Sequence, residues 1–162
     1  MPFRMTAALW ALMAINLAST TAVRAQSVAD ADHAMHAIDL RMRALNAAGK
    51  NLRQMQLHRD DHEADAVRDI ADADVNVFGA AIKVFTVAFI LTGMKCPDDV
   101  RFTQKQFGLV ANLFVTTADA ELSRVNEDLH NVVAPAALAE AGTIRDVILD
   151  LRDFLKPFAV VE

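Results

Sequence analysis

Residues 75–94, VNVFGAAIKVFTVAFILTGM, decide the fold class of this 162-residue chain. Val75, Phe78, Ile82, Phe85, Phe89 and Thr92 recur at alternating spacings of three and four, the period of a single helical seam. Val84, Val87, Ile90, Leu91 and Met94 fill most of the other faces. A helix apolar nearly all round belongs at the centre of a bundle. Its length would also suit a bilayer crossing, which needs about 20 apolar residues. Lys83 argues against that alternative, because a charge at mid-membrane costs roughly 2.5 to 3.5 kcal/mol on insertion scales. Asn76 and Gly79 lie on the same side as Lys83 and give the helix a narrow wet stripe.

The helical period continues in both directions. Upstream, Ser27 reads as an N-cap with Asp30 three residues on. Val28, Ala31, Met35, Ile38, Met42 and Leu45 then form one buried seam that stops near Gly49, a residue suited to the left-handed position after a helix. A more polar helix follows from about Asn51, carrying Leu52, Met55, Ala66, Val67 and Ile70. Downstream, Pro97 lacks a backbone donor and biases Cys96 away from helical angles, which ends the central helix. Thr103 with Gln106 and Thr116 with Asp119 resemble two successive capping signals. The first opens a helix through Phe107 and Phe114, the second one through Leu122, Val125 and Leu129 that Pro135 closes. Thr143 and Asp146 cap a last helix with Ile144, Ile148, Leu151 and Leu155 on its face. No stretch alternates with period two between turn residues, so no sheet is expected. The expectation is an all-α, single-domain helical bundle of about five helices, with one central, nearly all-apolar helix at about 75–94.

Composition narrows the class further. With 54% hydrophobic residues and only 5 Gly and 4 Pro, the chain is neither disordered nor collagenous. A net charge of −5 repels phosphate backbones, so nucleic acid is not an expected partner. At the N-terminus, Met1 to Arg4 is a short basic start, Ala7 to Ala18 an apolar core, and Val23-Arg24-Ala25 a cleavage pattern. Residues 1–25 therefore read as a secretory signal peptide and 26–162 as one α-helical domain. The apolar run is too short to span a bilayer, so the expected destination is periplasmic or secreted, with no stable membrane insertion after cleavage. Cleavage removes Arg4, Arg24 and Trp10, leaving the mature chain more acidic and without Trp or Tyr. The lone Cys96 cannot close a bridge within the chain, so its thiol is buried, free, or paired with a second chain in a homodimer.

Two residue patterns hint at ligands. His58, His62, Asp65 and Asp69 follow one another at spacings of four, three and four, which sets two imidazoles and two carboxylates on one helical stripe able to chelate a transition metal. Arg59 beside His58 breaks the metalloprotease pattern, and neighbouring arginines can neutralise the carboxylates. Met35 or Met42 with His130 could in principle ligate haem in a bundle, although methionine at seam positions is also ordinary core filler. No phosphate-binding glycine loop or nucleophile elbow is present, and Cys96 has no sequence-local activating partner. No catalytic residue and no cofactor are assigned, and the expected role is non-enzymatic.

Cys96-Pro97-Asp98-Asp99-Val100-Arg101-Phe102-Thr103-Gln104, followed by Leu109, Val110 and Leu113, resembles the most recognisable stretch of the Rap/Tai immunity proteins. Those are small exported helical proteins that neutralise peptidoglycan amidases delivered by type VI secretion. The matching elements are the Cys and Pro, the Val four residues before a Gln, and the apolar helix behind them. That family usually carries further cysteines, including one after the final helix, whereas Cys96 stands alone here. The resemblance implies an exported protein that binds a protein partner, such as a basic secreted enzyme, through Cys96, Pro97, Asp98 and Asp99. The competing class is a periplasmic metal- or cofactor-binding bundle.

Overall fold

Four long helices stand where about five shorter ones were expected. The computed structural model describes the backbone of residues 4–55 and 62–159, and the side chains of 29–55, 62–96 and 98–159. The helices are α1 (Arg4–Gln54), α2 (His62–Gly93), α3 (Pro97–Asp128) and α4 (Pro135–Leu155), with short 3-10 turns at Leu129–Asn131 and Lys156–Phe158. No strand occurs among the described residues.

The expected breaks fail at residues that suit a helix interior as well as its ends. A threonine hydroxyl can be satisfied inside a helix by the carbonyl four residues back, as well as at a helix start. Thr116 donates to the Asn112 carbonyl at 3.1 Å and Thr143 to that of Ala139 at 3.0 Å, so both are interior positions. Thr103 is buried within α3 and donates to Met94 Sδ at 3.1 Å. Ser27 lies inside α1, and Gly49 is helical too, since no described glycine has a left-handed φ. Pro135 opens α4 where it was expected to close a helix, because a first-turn residue needs no donor. Pro97 opens α3 in the same way.

Each helix packs against the next in sequence, and α4 closes the ring against α1. Polar bridges link every neighbouring pair, and the two between α1 and α4 run antiparallel, Arg41 meeting Asp150 and Asn51 meeting Glu140. Arg53 reaches Asp74 at 2.9 Å from α1 to α2, and Asn76 reaches Glu121 at 2.9 Å from α2 to α3. Arg152 pairs with Asp119 at 3.2 Å between α4 and α3. Arg41 with Asp150 at 2.8 Å and Asn51 with Glu140 at 2.9 Å tie α1 to α4.

Inside the ring lie Ile38 and Leu45 of α1, Val77 and Val84 of α2, Phe114 of α3, and Ile144, Ile148 and Leu151 of α4. The expected seam of α1 is thus buried at Ala31, Ile38 and Leu45, with Met35 and Met42 packed on its edge. Alanines fill many of the remaining inward positions, including Ala81, Ala88, Ala111, Ala118 and Ala141, and small side chains let helix axes approach closely.

That choice reverses the expectation for α2. Its buried line is Val77, Ala81, Val84, Ala88 and Leu91, while Val75, Ile82 and Phe89 point outward. Phe78 and Phe85 pack on the flank of the core. The segment is one member of a ring and not a central helix, because a ring of four leaves every helix one outward side. On length and composition alone α2 could cross a membrane, and only 28% of its most apolar window is buried by the rest of the protein.

Candidate partner-binding surface

A three-residue connection, 94–96, joins α2 to α3. Cys96 has an extended backbone, φ −87° and ψ 132°, as a residue before proline must. Its carbonyl accepts from Val100 N at 3.0 Å, which starts the α3 ladder. Cys96 makes no side-chain cap, and its thiol is exposed and free, which removes burial from the three alternatives. Asp98 and Asp99 follow in the first turn of α3, exposed, where the positive end of the helix dipole favours carboxylates. Lys95 and Arg101 are exposed on either side, so the turn presents both signs of charge at fixed places. One turn further on, Phe102 is 67% exposed.

Phe102 belongs to a larger apolar surface that the helical period alone did not reveal. On α3 it shares an outward side with Leu109 and Leu113, and on α2 the outward side carries Val75, Ile82, Phe89 and Ile90. Between the two helices runs an open groove of about 380 Å³, lined by Val75, Asn76, Gly79, Lys83, Leu113 and Thr117. Lys83 is exposed there, as its place on the wet stripe predicts. The usable signal lay in residue size: Val77, Ala81, Val84 and Ala88 are spaced for the inward side, which sends Ile82, Phe89 and Ile90 out.

The other candidates do not converge. His58 lies outside the described residues. His62 is the exposed first residue of α2, Asp65 is exposed and pairs with Arg68 at 3.1 Å, and Asp69 is exposed. Burial, and next the charge of Asp69, push the Asp128 carboxyl upward. Among the described residues no group of three or more His, Cys, Asp or Glu side chains is placed to hold a metal ion. Met35 and Met42 pack on the core, whereas His130 is exposed in the turn after α3.

A buried polar contact went unnoticed in the sequence. Asp74 is 2% exposed and accepts from Arg53 through Oδ2, while Oδ1 has no partner among the described residues. Arg53 also donates to the Ala71 carbonyl at 3.2 Å. Gly49 faces this carboxylate across the α1–α2 seam, and a Cβ at Gly49 would overlap Asp74 Oδ2.

Comparison with protein-family models, curated proteins and solved structures finds no match to this chain.

Proposed function

We propose that this is an exported, non-enzymatic helical protein that acts by binding a protein partner, as an immunity-type inhibitor of a basic secreted enzyme. The α2–α3 turn is its contact point. The observation that carries this reading is the exposure of Cys96, Asp98 and Asp99 on a short connection. Fixed charges accelerate and orient encounter with a partner of opposite charge. The bridges that set register between helices involve Asp74, Asp119, Glu121, Glu140 and Asp150, and neither Asp98 nor Asp99 takes part in them.

The test pairs the protein with the product of an exported-effector gene adjacent to its own. Asp98→Lys with Asp99→Lys is expected to slow association, more at low than at high ionic strength, and to leave the melting temperature within a few degrees of wild type. A destabilised variant with unchanged association would show that the two carboxylates only support the start of α3.

A further inference from the structure

We propose that the outward α2–α3 face is the interface of a homodimer, with a second copy of this chain as its occupant. On α2 the face exposes Val75 at 55%, Ile82 at 44%, Phe89 at 63% and Ile90 at 46%. On α3 it exposes Phe102 at 67%, Leu109 at 37% and Leu113 at 53%. With full side-chain surfaces of about 150–250 Å² each, these residues present on the order of 700 Å² of apolar surface. The largest apolar patch on a typical monomer is roughly 300–600 Å². A stable interface buries about 800 Å² on each partner, an area that the apolar residues of this face approach by themselves.

The chemistry of the face selects its occupant. Between Val75 and Gly93 the only charge is Lys83, and beside the α3 part of the face Asp98 and Asp99 lie exposed next to Arg101 and Lys105, so the border of the face is mixed in sign and not basic. Helix faces that lie on membranes are bordered by many Lys and Arg, and a chain of net charge −5 is repelled by anionic lipid. A two-fold axis along the bundle sets α2 of one copy against α3 of the other, antiparallel, so one patch supplies both halves of the interface. The groove beside Gly79 gives the mate's side chains room, since a Cβ there would meet nothing within 4 Å. Elsewhere among the described residues the exposed large hydrophobics are Leu40, Val133, Leu138 and Leu149, fewer than on this face.

Sedimentation equilibrium of the purified protein tests the proposal. A concentration-dependent monomer–dimer equilibrium is expected, and Ile82→Asp with Leu113→Asp should weaken it about 100-fold while helical circular dichroism stays at the wild-type level. Should that pair unfold the chain, Ile82→Ser with Leu113→Ser is read in its place, with a smaller loss expected. Val133→Asp, on an exposed site outside the face, should leave the dimer intact, as should Asp98→Lys with Asp99→Lys. The last variant keeps this inference separable from the partner-binding reading. A wild-type protein that stays monomeric, a dimer that survives the face substitutions, or a monomer that sediments with phosphatidylcholine vesicles would each overturn it.

Discussion

At Asp74 a carboxylate has been taken almost wholly out of water, and its one ionic partner, Arg53, is itself 41% exposed. Burial pushes the Asp74 carboxyl above its ordinary value of 3.8, outweighing the opposing hydrogen bond and charge of Arg53. The folded protein therefore holds a proton at Asp74 more tightly than the unfolded chain does. The stability this contributes is complete below pH 3.8 and is lost as pH rises through the raised value. Asp74→Asn is uncharged at every pH, so its melting temperature should gain on wild type as pH increases across that window and then hold a constant difference. A difference that never changes with pH would show that Asp74 titrates normally. Gly49 depends on the same carboxylate. Gly49→Ala should stabilise a helix interior by about 1 kcal/mol on propensity alone. Here it is expected to cost about 2 kcal/mol, because the new Cβ displaces Asp74 from Arg53 and strands buried polar groups. Adding Asp74→Ala should recover most of that loss, and chemical denaturation of the single and double variants measures it. In the sequence Gly49 reads as a helix stop because glycine commonly marks one. Its actual reason sits on the next helix, where no local pattern can show it.

Helix boundaries were the least legible elements. A Thr followed by Gln or Asp three residues later looks the same whether it opens a helix or sits within one, and tertiary packing decides which. Thr116→Ala and Thr143→Ala remove hydroxyls that bond back along their own helices, so each should be neutral or stabilising by up to about 0.5 kcal/mol. A loss of about 1 kcal/mol or more in the thermal melt would mean that these residues are caps after all. The proline boundaries were legible in place but not always in direction: Pro97 marks the gap after α2, whereas Pro135 begins α4. What holds that second gap came from far along the chain. Glu63, near the start of α2, accepts from Val133 N at 2.8 Å and Ala134 N at 2.5 Å, satisfying the donors that precede α4.

For the whole molecule, the all-α class followed from a period of 3.6 sustained from α1 to α4, and the acidic turn at Cys96–Asp99 followed from Pro97. The side that each apolar residue takes did not follow, because a ring of helices with alanine on its inner positions turns bulky residues outward. Phe114, at 1% exposure, is a true core residue, and Phe114→Ala should cost about 3 to 5 kcal/mol. Phe85 is half-buried on the flank, and Phe85→Ala should cost roughly half as much by the same measurement of unfolding free energy. Equal losses would place α2 at the centre of the bundle. The order of helices around the ring also governs how the chain reaches this state. Three of the four seams join segments consecutive in the chain, the arrangement that folds fast. The fourth does not: the flank of α1 that bears Arg41 and Asn51 waits for Asp150 and Glu140 on α4, the latest of these four helices to be synthesised. Until α4 arrives, the nascent protein carries an open apolar trough along α1 and α3. That interval is when a chaperone can hold it and when aggregation competes with folding.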